Sequence, residues 1–256
     1  MRNKIIIVIL ILIVGVFGVR YAINSLFGAD KQIVIADSFE RLQVSGANAL
    51  VEIRPSEEDT TTIEIISKKK QRKGLVKAKV DDGTLTVKLK DKRTWVIPFG
   101  YSPPTLVIEV PKKQYDSLKV KSDNGKISVE SLQIKELDLE TDNGKIAVKD
   151  VEANTVRVET DNGLIELDHV EGAITAKTDT GLISLVTPDL DRPIDLKTDV
   201  GKISVQTKTK PTNTTILAET DIGSINIFGS KNNKTVFGNG ENLVKLQSDV
   251  GAIVVQ

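Results

Sequence analysis

The chain has 256 residues, and its 35 Lys and Arg residues balance 35 Asp and Glu residues, so its formal net charge is zero. It contains no Cys and a single His, which excludes disulfide scaffolds, thiol nucleophiles, iron–sulfur clusters and metal sites built from several imidazoles. Aromatic residues make up 4% of the chain, which is sparse for a globular enzyme.

The N-terminus is strongly apolar. Residues Ile5 to Val19 are all Ile, Val, Leu, Phe or Gly, and basic residues flank them. With the following residues up to Phe27, the segment reaches the roughly 30 Å thickness of a bilayer core. A cleaved signal peptide is one interpretation, but Phe27-Gly28-Ala29 places a bulky residue where a small one is needed. We therefore favour an uncleaved membrane anchor over residues 1–30.

The basic residues before this segment predict a single-pass protein of the cell membrane with a cytoplasmic N-terminus. Residues 31–256 are then an extracytoplasmic β-strand-repeat domain. Within it we expect degenerate repeats over 31–117 and regular repeats over 118–256.

The regular half repeats one turn motif, Ser/Thr-Asp-x-Gly, seven times. Its glycines lie 18 to 28 residues apart, most often 19. The Asp and Gly of the seven copies are Asp123 and Gly125, Asp142 and Gly144, Asp161 and Gly163, Asp179 and Gly181, Asp199 and Gly201, Asp221 and Gly223, and Asp249 and Gly251.

Alternating apolar residues flank every copy, such as Leu118 and Val120 before the turn and Ile127 and Val129 after it. This period of two is typical of strands with one buried face. An Asn-Gly hairpin would need positive φ at both central residues, which is unfavourable for Val200, Ile222 and Val250. A type II-like corner needs it only of Gly.

These corners favour an all-β fold, a single elongated β-solenoid (β-helix- or β-roll-like) of about 19-residue coils, preceded by one transmembrane helix. A meandering antiparallel sheet or sandwich is the alternative. Val80 to Val87 carries a worn copy of the same corner around Asp81-Asp82-Gly83. The C-terminus at Val255-Gln256 lacks an evident cap, which predicts an exposed sheet edge there.

The apolar anchor, the segment Ser45 to Ile53, the Val110-Pro111-Lys112-Lys113 junction and the Asp-x-Gly-x-Ile repeats resemble the bacterial putative-adhesin family of β-strand-repeat proteins, a domain of unknown function. The resemblance implies a cell-envelope protein with a solenoid-like fold. It supplies no catalytic residue.

Two rows of polar residues follow from stacked corners. The Asp row suggests Ca²⁺ ligands, but each corner supplies few of the six to eight oxygens that Ca²⁺ takes. We expect each Asp to accept backbone N–H bonds across its own turn, with Lys126, Lys145 and Lys202 as countercharges. The Ser/Thr row before it is expected to point inward or to stack at the corner, where its hydroxyls satisfy one another.

Two segments are candidates for binding. Trp95, Phe99 and Tyr101 lie in a Pro- and Gly-rich loop that could cap the core or bind a glycan or protein partner. A basic run, formed by Lys68, Lys69, Lys70, Arg72 and Lys73, could contact an anionic surface or be a solvated hairpin tip. Residues 1–120 carry 20 basic and 13 acidic side chains, against 15 and 22 in residues 121–256.

No residue stands out as a nucleophile, and His169 is expected to be a surface residue at a coil bend. We therefore predict a protein without catalysis, cofactor, metal or nucleic-acid partner, which presents its surface to an envelope protein or polysaccharide. The alternatives are a glycan-binding or carbohydrate-active protein that uses the Trp95–Tyr101 loop, and an envelope-stress sensor or scaffold on anionic lipid.

Overall fold

The computed structural model describes residues 32–66, 76–89 and 103–256, and every regular element in these ranges is a β-strand. The predicted anchor lies outside them, and no helix within them is long and apolar enough to cross a bilayer. The strands are β1 (Ile33–Ile35), β2 (Arg41–Ser56), β3 (Thr61–Ile66), β4 (Val76–Asp81), β5 (Thr84–Leu89), β6 (Thr105–Pro111), β7 (Gln114–Glu130), β8 (Gln133–Val170), β9 (Ala173–Thr187), β10 (Ile194–Thr207), β11 (Thr214–Glu219), β12 (Ile222–Ile227), β13 (Lys234–Phe237) and β14 (Asn242–Val255).

Each regular repeat forms one coil, with a first leg, the Asp-x-Gly corner and a second leg. Neighbouring coils pair in parallel and in register, so that Gly125 lies beside Gly144 and Gly181 beside Gly201. Consecutive hairpins would pair antiparallel instead. The solenoid-like fold is therefore confirmed, and the meander is excluded for the repeats.

Both legs turn their alternate apolar side chains into one core. In the coil of β7, Leu118 and Val120 of the first leg and Ile127 and Val129 of the second are at most 2% exposed. One apolar cluster runs through the coils from Phe39 to Val255. Each buried aliphatic side chain contributes about 1.5–3 kcal/mol to the free energy of unfolding. Stacked rows of Ile, Val and Leu therefore form a stable core in a chain with few aromatic residues.

Close stacking requires glycine at every corner, and five of the seven corner glycines also have a positive φ. A type II turn needs φ of about +80° at this position, whereas φ is 133° at Gly125 and 157° at Gly181. The predicted type II-like corner is therefore wrong. A Cβ on Gly144, Gly163 or Gly251 would lie 1.6–1.8 Å from the carbonyl oxygen of the neighbouring glycine, so only a residue without one fits.

At the C-terminal end of the solenoid, which we call the distal end, the coils do not stack in the order of the chain. β14 pairs with β10 on one edge and with β11 and β12 on the other. The C-terminal strand is thus interior, and β11 and β12 form the last coil, with β13 antiparallel to β11. The prediction of an exposed edge at Val255-Gln256 is wrong, because the next repeat back in the chain covers it.

At the N-terminal end of the solenoid, the proximal end, strands that come later in the chain likewise cover an earlier coil. β2 pairs with β7 on one edge, while β5 covers its first leg and β6 its second leg on the other. The predicted corner at Asp81-Asp82-Gly83 is wrong: β4 and β5 are antiparallel, and Asp82 and Gly83, with φ of 44° and 66°, form the two-residue hairpin loop between them. Positive φ at both loop residues is the type I′ geometry.

Non-glycine residues in the left-handed region mark the junctions between coils, namely Ser131, Asp150 and His169 with φ of 52–54°. Each such residue costs about 1–2 kcal/mol, partly offset by the chain entropy that Gly would lose. We expect Ser131→Gly to raise the free energy of unfolding by about 0.5–1 kcal/mol. Ser204→Gly, in the extended strand β10, should lower it by a similar amount, and urea unfolding of both variants checks the opposite signs.

Candidate functional site

The Trp95–Tyr101 loop and the Lys68–Lys73 run both lie outside the described residues. Their flanking strands are described. Leu89, at the end of β5, lies beside Gly46, and Thr105, at the start of β6, lies beside Leu50. Residues 90–104 thus join the two legs of the outermost proximal coil, where the regular coils have their corner.

The Asp row lies at the corners, but its contacts differ from those predicted. Among the described residues, none of these carboxylates accepts a backbone N–H. Lys177 and Lys197, each two residues before a corner Asp, lie 3.1 Å from Asp179 and 3.6 Å from Asp199. Lys145, predicted as a local countercharge, instead pairs with Glu166 at 2.5 Å. The corner Asp side chains are therefore surface groups, and two of the seven form exposed ion pairs.

The Ser/Thr row points into the core, and its members are nearly all buried. The hydroxyls do not satisfy one another as predicted. Ser248 donates to the Gly201 carbonyl at 3.0 Å, and Thr220 donates to the Gly251 carbonyl at 3.3 Å. These two hydroxyls therefore tie a side chain of one coil to the main chain of the adjacent corner, whereas those of Thr141, Thr160 and Thr198 are buried without a hydrogen-bond partner in the described part of the chain.

The middle residues of the corners form an exposed row that we call the corner ridge. In stacking order it consists of Asn48, Asn124, Asn143, Asn162, Thr180, Val200, Val250 and Ile222. The Asn side chains donate to one another along the row at 2.8–3.2 Å. At the distal end the ridge becomes apolar, and Val200, Val250 and Ile222 are 49%, 42% and 69% exposed.

A second surface feature lies on the proximal first legs. The outward side chains of β4, β5, β2 and β7 include six basic residues and two acidic residues, Asp81 and Asp116. We call this surface the basic face, and its basic residues are Lys77, Lys79, Lys88, Arg41, Lys119 and Lys121. The next strand, β8, presents Glu136, Asp138 and Glu140 at the equivalent positions.

A groove of about 290 Å³ runs along the basic face. Gln43, Ser45 and Thr86 form its floor, and Lys88 lies on one side. Lys119 and Lys121 lie on the other side, together with Asp138 and Glu140 of β8. Lys119 lies 3.4 Å from Asp138, and Lys121 lies 2.5 Å from Glu140. The hydrogen bond and charge of Glu140 raise the pKa of Lys121, so Lys121 stays charged at neutral pH.

Asp191, which the sequence did not single out, holds the crossover to the last coil. Its carboxylate accepts the backbone N–H groups of Thr212 and Asn213 at 2.8–3.0 Å and lies 2.7–2.8 Å from the Thr212 and Thr214 hydroxyls. Burial raises the pKa of Asp191, but these hydrogen bonds outweigh it and lower the pKa to about 2.

A carboxyl group whose pKa is lower in the folded than in the unfolded state stabilises the fold at pH values above its unfolded-state pKa. This contribution is lost as the pH falls through the folded-state pKa. We expect Asp191→Asn to destabilise the protein by about 1–2 kcal/mol at pH 7. The difference from wild type should shrink between about pH 4 and pH 2. Urea unfolding across this pH range checks it. Asp195→Asn, at an exposed position on β10, is the control that should show neither effect.

His169 lies at a coil junction, where its Nδ1 is 2.7 Å from the Asp168 carboxylate and its side chain is 59% exposed. Within the described ranges, no three His, Cys, Asp or Glu side chains are grouped as a metal site would need.

Solved structures of similar fold include a putative cell adhesion protein from Clostridium sporogenes (16% identity, TM-score 0.46, covering 88% of this chain and 98% of that one). A putative adhesin from Bacteroides fragilis has 16% identity and a TM-score of 0.48, covering 89% of this chain and 98% of that one. Among curated proteins, none matches the chain. The family model Toastrack DUF4097 matches residues 39–171 and 130–256. Since these ranges together take in residues 39–256, the chain belongs to the Toastrack DUF4097 family of β-repeat domains of unknown function.

Proposed function

We propose that this protein is a non-enzymatic protein of the cell envelope, held in the membrane by residues 1–30. Its solenoid presents a surface for adhesion or for interaction with another envelope component. The corner ridge is the observation that supports this proposal. It repeats one exposed position from coil to coil, and such a row offers an extended contact surface rather than a singular reactive centre.

The apolar distal part of the ridge is the proposed contact region. Four proximal coils place Asn at this position, and Asn is a favourable turn residue. Val200, Val250 and Ile222 instead expose β-branched side chains in adjacent coils. Contiguous exposed apolar side chains are typical of interaction sites.

The variant Val200→Asn, Val250→Asn, Ile222→Asn tests this region, because it gives the distal coils the Asn that four other coils already carry at this position. We expect the labelled full-length chain to bind intact bacterial envelopes saturably and the variant to bind at least tenfold more weakly. Thr155→Asn with Thr175→Asn, at exposed positions away from the ridge, is the matched control. Absence of saturable binding, or equal binding by the ridge variant, would contradict the proposal.

A glycan-binding role for Trp95, Phe99 and Tyr101 is the second candidate. The described strand ends that flank this segment favour it, because Leu89 and Thr105 lie at the two leg ends between which the regular coils have their corner. Aromatic side chains can pack against apolar ligand surfaces. Replacing all three residues by alanine should abolish binding to purified wall polysaccharide, while unchanged binding would exclude this role.

A further inference from the structure

We infer that the basic face binds a linear, phosphate-bearing polyanion, which lies along β2 in the groove between Lys88 and the pair Lys119 and Lys121. This site adds a class of ligand to the proposed function. It rests on that function for one point only, namely that an extracytoplasmic chain would meet such a polymer in the envelope.

The basic face carries a high density of positive charge. Four neighbouring strands, about 4.8 Å apart, place six basic side chains on one outward surface, and its two acidic side chains, Asp81 and Asp116, lie at the Arg41 end. The acidic residues of β8 bound this surface on one side. Positive charge is therefore in excess from β4 to β7, with Asp138 and Glu140 at the far side of the groove, and this excess attracts a polyanion.

The basic face also contains a pair of like charges. Lys77 and Lys88 lie directly opposite each other in the β4–β5 ladder, and among the described residues neither has an acidic partner. Side chains at such positions have Cβ atoms about 5 Å apart, and like charges there are destabilising. A phosphate group, with several acceptor oxygens, bridges two ammonium groups at this spacing.

The lysines in the wall of the groove can exchange their acidic partners for a ligand. The ion pairs of Lys119 and Lys121 are exposed, and pairs of this kind contribute only about 0–1 kcal/mol. Both lysines can therefore turn to a ligand at small cost. The short polar side chains of Ser45 and Thr86 on the floor add hydroxyl donors between the lysines.

The shape of the site favours a single chain over a membrane. The floor lies between two walls of long lysine side chains, so a flat lipid surface reaches the ammonium groups but not the floor. A flexible polymer can enter the groove and follow β2, along which successive outward positions are about 6.6 Å apart.

The test uses the full-length chain and inorganic polyphosphate as the probe. We expect the variant Lys77→Gln, Lys88→Gln to bind at least tenfold more weakly than wild type at 50 mM salt. Each lost phosphate contact should also reduce the slope of log K against log salt by about 0.7. The variant Lys149→Gln, Lys208→Gln removes the same charge from exposed positions elsewhere and should bind like wild type.

Removing the opposed lysines relieves repulsion, so the first variant should unfold at the same temperature as wild type or higher, and weaker binding then reflects the lost contacts. Three results would overturn the inference: equal binding by the Lys77/Lys88 variant, tighter wild-type binding to polyglutamate or to phosphatidylglycerol vesicles than to polyphosphate, or loss of binding only when Lys68, Lys69 and Lys70 are replaced. The assay contains no envelope, so its failure is distinct from failure of the ridge experiment.

Discussion

Replacing Gly163 by alanine is expected to disrupt the solenoid at its centre, with a loss of more than about 4 kcal/mol in the free energy of unfolding. The new Cβ would lie 1.7 Å from the carbonyl oxygen and 2.8 Å from the carbonyl carbon of Gly144. These are backbone atoms, so no side-chain rotation relieves the clash. The two coils must separate, and the parallel ladder between them must break.

The sign of this effect is diagnostic, because Gly→Ala at an unstrained position normally stabilises a protein by about 0.4–1 kcal/mol. The φ of Gly163 lies outside the left-handed region, so the loss reflects the contact alone. Asn162→Ala is the matched control one residue earlier, and it should cost about 1 kcal/mol or less because only exposed amide contacts are lost. Thermal unfolding with hydrogen exchange over the central coils measures both. An alanine variant as stable as wild type would show that the corners do not stack this closely.

Removing residues 242–256 is expected to disorder the whole distal end rather than only the last strand. β14 lies between β10 and the pair β11 and β12. In a repeat array each coil is stabilised mainly by its nearest neighbours. Without β14, the segment 214–241 loses its partner and should become susceptible to proteolysis, while residues 114–187 stay protected.

A deletion that keeps the stacking intact provides the control. Removing residues 151–169 joins Asp150 to Val170, which occupies the position of Val151 in the next coil. One complete coil is lost, Gly144 can stack on Gly181, and the shortened chain should fold. Continued protection of 214–227 in the C-terminal truncation would contradict the expected result, since it would mean that β11 and β12 pair with β10.

The sequence allowed the coil itself to be predicted, because its information is local. Alternating residues such as Leu137 and Leu139 identify the buried faces of the legs, and the recurring Asp-x-Gly identifies the corners. The exclusion of type I′ hairpins from Val200, Ile222 and Val250 pointed to parallel stacking. These features depend on residues within one repeat, and the structure has them in each regular coil.

The order of the coils at both ends could not be predicted in this way. Each coil presents a similar edge, so nothing in Ile194–Thr207 indicates that β14 rather than β11 is its neighbour. The role of the corner glycine was likewise missed, because the contact that requires it lies in the adjacent coil. The hairpin at Asp82-Gly83 has the same Asp-x-Gly sequence as the corners and differs from them only in its tertiary contacts.

The candidate surfaces show the same limit. The basic run at Lys68–Lys73 is visible as a run, whereas Lys77, Lys88 and Lys121 lie apart in the chain and are brought to one surface only by the order β4, β5, β2, β7. The role of Asp191 could not be predicted from its neighbours in the sequence, beyond its place in a longer repeat. Its partners Thr212 and Asn213 come from a loop that crosses back to it.

Disulfide formation between pairs of introduced cysteines tests the stacking and the order of the coils together, and the chain has no native Cys to interfere. A disulfide needs Cα atoms about 4.4–6.8 Å apart, which adjacent strands satisfy and strands two positions apart do not. We predict rapid intramolecular oxidation of the pairs Val200→Cys with Val250→Cys and Val250→Cys with Ile222→Cys, and none of Val200→Cys with Ile222→Cys. Oxidation of the last pair alone would contradict the account, because it would place the coils in simple chain order.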